Sequence, residues 1–412
     1  MRTDFDVLVV GGGLVGASLA YALRGSGLSI GVVEAFPFSF SESPSFDDRT
    51  LALAYGSRRI FAALGLWEAI ARRGAAPIKR IHVSDRGRFG VARLTAAEAG
   101  LDALGYVVTH RTLGASLYEA IKDQSNVNLI APATLQSVTL EESAARVRVQ
   151  AGDAAQDLSA RLLVAADGAN SPIRDAVGIE VERVPYDQTA VVSAVTTELS
   201  HQDTAYERFT ESGPLALLPA DAARLAVVWT QRSDNAERVL AWDDETFRRE
   251  LQVAFGERLG RFSGVGKRNA YPLALTRVRE HVRPRLALIG NAAHAVHPVA
   301  GQGFNLGLRD VAALAEVLTD AVAAGRDPGD IAALQRYADW RVRDNRVTAA
   351  FTHSLIRIFS NDYLPVTWGR DLGLLAVDLL PPVKRRLVRI TSGLAGRLPR
   401  LARGLPLRPS RP

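Results

Sequence analysis

The run Phe5 to Val10, apolar apart from Asp6, has no strand-like alternation and reads as a parallel strand covered on both faces. Leu14 to Leu23 continues as a helix of small residues, and Ile30 to Val33 forms a second buried strand ending on Glu34. Together they make a strand–helix–strand unit of about 30 residues. Helical spacing recurs over Ser57 to Arg72 and over Thr112 to Asp123, where Leu117 and Ile121 share a face. Strand patterns follow at Val127 to Ile130, Leu135 to Leu140, Arg146 to Gln150 and Leu158 to Ala165. After Pro185 the texture becomes alternating, through Ala190 to Thr197, Tyr206 to Thr210, Ala216 to Leu218 and Leu225 to Thr230. That alternation predicts an antiparallel sheet with one open face, interrupted by a helix over Asp244 to Leu259. Leu286 to Gly290 returns to the buried-strand pattern and Val311 to Val322 is an Ala-rich helix, so the first domain is expected to be discontinuous and closed by a late strand.

Composition sharpens this in two places. The 412 residues contain no cysteine, which excludes disulfides, thiolate metal sites, iron–sulfur clusters and cysteinyl flavin attachment. The net charge of +6 is local: no acid follows Asp378, whereas nine Lys and Arg do, leaving the body at −3. This favours a local anionic partner over a nucleic-acid-binding fold. Leu387, Ile390, Leu394, Leu398, Leu401 and Leu405 recur at three and four residues among those arginines, a pattern that suits a segment lying on an anionic bilayer. Gly393, Gly396 and Pro399 weaken such a helix, and a solvated tail is the competing reading. Val7 to Leu23 lacks a basic leader and is broken by glycines, so it does not read as a signal peptide. No uncharged stretch reaches spanning length, and the expected location is the cytoplasm, peripheral on the inner face of the membrane.

Three motifs carry chemistry. Gly11-x-Gly13-x-x-Gly16 lies between strand and helix, with Glu34 at the next strand end. Gly11 permits the turn, Gly13 lets backbone approach a pyrophosphate, Gly16 lets helix and strand pack, and Glu34 accepts from ribose hydroxyls. An acid there disfavours a 2′-phosphate, so FAD or NAD fits better than NADP. The second motif, Asp167-Gly168-Ala-Asn170-Ser171, follows a strand and is by itself most often a turn. In the third, Leu288 to Gly307 (LIGNAAHAVHPVAGQGFNLG), an apolar strand ends on Gly290-Asn291 and Gly301-Gln302-Gly303 opens a helix. Backbone N–H groups at a helix start stabilise negative charge, and glycines allow close approach, as a flat anionic ring requires. His294 and His297 in this loop read first as structural, with rings satisfied by backbone groups.

With FDDRTLAL at 46 to 53, ERFTESGPLALLP at 207 to 219, NAYPLALT at 269 to 276 and HPVAGQGFNLGLRD at 297 to 310, the set resembles the class A flavoprotein aromatic hydroxylases. Within them it resembles the UbiH-type ubiquinone-biosynthesis branch, including Asn291 where most members carry Asp. The resemblance implies an α/β fold with a Rossmann-like FAD-binding domain from 1–78, 107–180 and 283–340. An inserted antiparallel substrate domain would take 79–106 and 181–282, followed by a C-terminal helical region, 341–412, with a basic tail. It implies that Glu34 holds the adenosine ribose and that Arg49 and Arg111 contact the FAD phosphates or ribityl chain. Asp167 and Gly168 would support the pyrophosphate, while Gly290 and Asn291 reach the ribityl hydroxyls. Pro298, Gly301, Gln302, Gly303, Phe304 and Asn305 would line the isoalloxazine, with Pro298, Gly301 and Gln302 nearest the chemistry; no side-chain acid or base and no metal ligand is assigned.

The implied reaction is hydroxylation of a polyprenylated phenol by O2 through a flavin C4a-hydroperoxide. FAD would be held non-covalently, with NAD(P)H or a partner reductase as electron donor. Implied partners are that phenol, other ubiquinone-biosynthesis proteins and the membrane surface. The alternatives are a flavoprotein acting on another prenylated substrate and an FAD-bound scaffold of the biosynthetic assembly.

Overall fold

The computed structural model describes residues 3–37, 49–295, 301–359 and 363–407. Phe5–Val10 is a central strand of an eight-stranded sheet, parallel to Ile30–Val33 on one side and to the end of Ala154–Ala165 on the other. Val127–Ile130 extends one edge, and Leu286–Leu288 joins in parallel beside Leu163 to Ala165, closing the sheet with a late strand as expected. Two helices, Leu14–Ala22 and Gln302–Ala323, pack against this sheet, burying Val7, Val9, Leu19, Val164, Leu308 and Val311 together. Truncating one such aliphatic side chain to Ala costs about 2–5 kcal/mol.

A second, nine-stranded sheet includes Arg80–Asp85, Val91–Thr95, Val181–Thr197, Thr204–Thr210, Gly213–Pro219, Arg224–Arg232 and Asn269–Val278. The helix Asp244–Phe255 covers one face, where Phe247, Leu251 and Phe255 pack on Leu215, Leu217, Val227 and Trp229. The other face borders a large cavity. His294–Ala295 pairs with Thr276 and Arg277, so the loop leaving the first sheet is stitched to the second.

Glycine geometry accounts for several shifts from the expected boundaries. The helical pattern at Ser57 to Arg72 is two helices, Tyr55–Ala63 and Trp67–Arg72, divided near Gly65 at φ 77°. The helix from Asp244 stops at Phe255 because Gly256 takes φ 92°. The 29-residue helix Ile331–Phe359 begins ahead of the helical region expected from residue 341.

The basic tail is neither one continuous helix nor wholly solvated. Leu364–Leu379 and Pro381–Thr391 are helices, after which the chain turns at Gly393 and docks on the first domain. Leu401 and Ala402 are part of the main core, and the Ser392 carbonyl accepts from Gly56 N–H at 2.8 Å. Trp340 Nε1 donates to the Arg397 carbonyl at 2.7 Å and Arg400 N–H to Glu316 at 2.6 Å. The leucines at 398 and 401 thus face protein, because the first domain offers them an apolar groove. Residues 398–402 therefore pack on protein, whereas the arginines of Pro381–Thr391 stay exposed.

One buried carboxylate holds the late loop in place. Asp310 Oδ2 accepts from Gly290 N–H at 2.9 Å and lies 2.6 Å from His294 Nε2, while Oδ1 accepts from Arg341 Nε at 2.7 Å. Arg341 also pairs with Asp344 and donates to Asn345 at 2.9 Å. Burial acts to raise the Asp310 pKa, but His294 and Arg341 outweigh it and hold the carboxyl well below the ordinary range. A depressed folded-state pKa means that this stabilisation is complete at neutral pH and is lost only as pH falls below the ordinary carboxylate range. Asp310→Asn, which leaves Arg341 buried with one fewer anion, is expected to lower the unfolding free energy by about 3 kcal/mol. Urea denaturation at neutral pH checks this, and a variant as stable as the parent would refute the assignment.

Candidate cofactor and substrate cavity

The cavity has a volume of about 1340 Å³ and lies between the first sheet, the open face of the second and the C-terminal helices. Ligand pockets for one small molecule are commonly 300–1,000 Å³, so the space suits a dinucleotide together with a second compound.

Its first wall is built from three glycine-bearing turns. Gly11, at φ 101°, sits so close to the Ala166 carbonyl that a side chain there would collide with backbone. Gly16 is equally constrained by the Gly11 carbonyl, which explains why the helix can lie against the strand. Gly13 differs: space is open beside it, and it precedes the helix Leu14–Ala22, whose start has no side-chain cap. The first amides of that helix are thus available to an anion. Glu34 reaches back over the turn, accepting from Gly12 N–H at 2.6 Å and Phe36 N–H at 3.1 Å, and it lines the cavity.

Asp167 and Gly168 form the second turn. One carboxylate oxygen of Asp167 accepts from Ile173 N–H at 3.1 Å, and the other, Oδ1, is buried with no partner among the described residues. Burial raises the Asp167 pKa against the opposing hydrogen bonds to Ser171 and Ile173. An orphaned buried acceptor is costly unless a ligand donor completes it. Gly168, at φ 90°, faces open space.

The third turn brings Gly290, Asn291, Gly301, Gly303 and Phe304 to the cavity. Gly290 and Gly301 take φ 59° and 62°, and a side chain on Gly301 would stand 2.8 Å from Ala52 Cβ. The helix from Gln302 also begins without a side-chain cap, and beside Gly303 there is open space. Asn291 carries no side-chain hydrogen bond to protein among the described residues, leaving both donor and acceptor for a ligand. Pro298 and His297 lie outside the described residues.

Two residues expected at the ring do not line the cavity. Gln302 and Asn305, three apart, share a buried helix face that packs against the backbone behind the cavity wall. Gln302 Nε2 donates to the Thr391 carbonyl at 3.3 Å. Asn305 accepts from Ala54 N–H at 2.9 Å and Ser57 Oγ at 2.6 Å, and donates to Ala52 O at 2.8 Å and Gly301 O. Its hydrogen bonds tie the loop to the neighbouring strand and helix, and Gly303 and Phe304 make the cavity surface instead. Arg49 lines the cavity with its guanidinium 5.1 Å from the Tyr271 ring centre. Arg111 is exposed and does not line it; its neighbour His110 does. His294 is structural, held by Asp310. Sequence reasoning missed His110, Asp310 and Arg341; the only signal for Asp310 was an isolated acid at the head of an apolar helix.

The opposite wall is largely apolar, with Glu207 and Arg370 among its lining residues. Ile81, Val83, Ala92 and Leu94 face it with Ala216, Leu218 and Val228 of the second sheet, and Leu374 and Val377 of the helix Leu364–Leu379 complete it. No group of three or more metal-ligating side chains occurs among the described residues.

Residues 4–346 match the family model described as FAD binding domain. The chain is 40% identical over 405 residues to ubiquinone hydroxylase UbiL of Rhodospirillum rubrum, covering 98% of this chain and 93% of that protein. It is 31% identical to 3-demethoxyubiquinol 3-hydroxylase of Escherichia coli, covering 94% and 98% respectively. The fold matches crystalline p-nitrophenol 4-monooxygenase PnpA of Pseudomonas putida with a TM-score of 0.80 at 20% identity, over 96% of this chain and all of that one.

The first wall fits FAD: two uncapped helix starts, an orphaned acceptor at Asp167 and Glu34 at the strand end match the donors and acceptors of a dinucleotide. Gly13→Val and Gly11→Ala should therefore separate binding from folding. Gly13→Val is expected to melt within a few degrees of the parent yet bind FAD at least about tenfold more weakly, since only the ligand's space is filled. Gly11→Ala should lose thermal stability as well. Flavin fluorescence titration and thermal melting distinguish the two, and unchanged FAD affinity in Gly13→Val would exclude this wall as the binding site.

Proposed function

The chain belongs to the FAD-binding-domain family of flavin monooxygenases, and on that premise we propose that it hydroxylates the aromatic ring of a polyprenylated phenol in ubiquinone biosynthesis. The cavity carries the reading: one wall presents backbone amides and Glu34 to a dinucleotide, and the facing wall is apolar over two elements. When bound, FAD supplies the reductive activation of O2 that delivers one oxygen atom to the ring, with NAD(P)H or a partner reductase as electron source. The protein's own residues position and exclude. Glu34, Asp167 and Asn291 would orient the cofactor, with Arg49 at its phosphates or ribityl chain. Gly301 and Gly303 admit the flat ring, and the apolar wall keeps water from the reacting atoms.

A prenyl chain needs an apolar route, and the helix Leu364–Leu379 provides a two-sided element. Leu374 and Val377 face the cavity, while Trp368, Leu372 and Leu379 are exposed, at 58%, 59% and 69%. Phe89 lies against Trp368, and Arg385, Arg386, Arg389 and Arg397 are exposed on the segments that follow. No helix among the described residues is long and apolar enough to cross a membrane. An apolar stripe flanked by arginines suits docking onto an anionic bilayer, from which the substrate's tail would enter.

Deleting the protein in its host should cause accumulation of a polyprenylated phenol lacking one ring oxygen, read by mass spectrometry of quinone intermediates. Complementation with the parent, but not with Gly13→Val, should restore ubiquinone; normal ubiquinone in the deletion strain would overturn the assignment. Replacing Trp368, Leu372 and Leu379 together by Ser is expected to abolish co-flotation with phosphatidylglycerol vesicles while FAD binding persists. Unchanged flotation would remove the membrane role.

A further inference from the structure

The cavity-facing side of the second sheet carries one carboxylate in an otherwise apolar row. Glu207 lies on Thr204–Thr210, directly opposite Val83 on one neighbouring strand and Ala216 on the other. Val83 is opposite Ala92, and Ala216 is opposite Val228. Directly opposed residues present their side chains to one face, and all five line the cavity. The order across the sheet is thus Ala92, Val83, Glu207, Ala216, Val228.

Nothing among the described residues uses this carboxylate. Glu207 makes no side-chain hydrogen bond or ion pair among the described residues, and its residual exposure is toward the cavity. Elsewhere on this wall the charged groups are spoken for. Asp85, one row along beside Phe209, pairs with Arg370 of the helix Leu364–Leu379. His82 and Arg208 alternate onto the opposite face of the sheet, and Tyr206 packs edge-on against Phe255 there. Arg370 and Tyr206 also line the cavity, and the remaining ionisable side chains there among the described residues are Glu34, Arg49, His110 and Asp167, on the first wall.

We propose that Glu207 accepts the proton of the substrate's ring hydroxyl, generating the phenolate that the hydroxylation requires. The step is a proton transfer alone: the phenolic O–H bond breaks, a carboxyl O–H forms on Glu207, and the electron pair remains on the phenolate oxygen for donation into the ring. No other reactant is needed. Burial without a compensating partner pushes the Glu207 carboxyl up to about 7, bringing its proton affinity toward that of a group working at neutral pH. The same carboxyl is an unpaired polar group in an apolar row, so it would also fix which end of a prenylated phenol faces the cofactor. This inference rests on the phenol-hydroxylase reading above.

The test uses FAD-loaded full-length protein, reduced chemically and mixed with O2 and 2-farnesylphenol in micelles, with product counted by mass spectrometry in a single turnover. Glu207→Gln, similar in shape but unable to take the proton, should bind FAD and melt like the parent yet form product slower by on the order of a hundredfold. Glu207→Asp should retain part of the rate. The parent's rate should rise with pH through about 7, and that limb should vanish in Glu207→Gln. Independently of turnover, infrared difference spectra of the oxidised holoprotein should show a protonated carboxyl that disappears as pH rises through neutrality and is missing from Glu207→Gln. Equal rates and equal pH profiles in parent and Glu207→Gln, or a carboxyl fully ionised below neutral pH, would overturn the proposal. If the infrared titration appears but the parent hydroxylates no phenol, the hydroxylase reading fails, and the proton-acceptor role fails with it.

Discussion

The architecture depends on the carboxylate of Asp310. It is buried, it is ionised because His294 and Arg341 outweigh its desolvation, and it ties three elements to one point. Gly290 ends the late strand, His294 belongs to the second sheet, and Arg341 comes from the long helix Ile331–Phe359. A flat cofactor needs the residues around it fixed, and the charged three-way hub fixes Gly290 and His294 where apolar packing cannot. Removing a single member leaves an uncompensated charge in the core, so the hub is maintained as a unit.

Much of the cofactor wall was legible because its determinants are local. Gly11, Gly13, Gly16 and Glu34 fall within one strand–helix–strand unit, where spacing along the chain is nearly spacing in space. The ring loop was harder. Gln302 and Asn305 sit among glycines in an evident motif, yet helical periodicity turns them toward Thr391 and the Ala52 to Ser57 segment. Three-residue spacing distinguishes the buried face from the open one, and a linear motif does not show which face is which. The hub itself was hidden, since Asp310 and Arg341 meet across thirty-one residues with no pattern joining them. The C-terminal segment misled for a related reason: arginines among leucines describe a surface helix equally well whether its apolar side meets lipid or the protein's own groove.

The cavity joins two chemistries that composition alone does not separate. On the glycine-turn side, the polar groups offered to a ligand are largely backbone N–H groups. On the substrate side, aliphatic side chains from strands 80–95 and 213–228 make a smooth floor, and the alternation Ala205, Glu207, Phe209 places one acid in it. The apolar row around Glu207 is assembled from four other strands or strand segments, which is why its setting emerges only in three dimensions.

The two uncapped helix starts and the orphaned oxygen of Asp167 have a thermodynamic corollary. Groups that only a ligand completes make folding and ligand supply a linked equilibrium, in which cofactor at a hundredfold excess over its dissociation constant adds about 2.7 kcal/mol to the folded state. For a domain whose net stability is a small difference between large terms, that increment is a substantial fraction of the whole. The protein without its ligand would then be the readier to unfold, so the glycine turns that seat a ligand also set how far the fold leans on it.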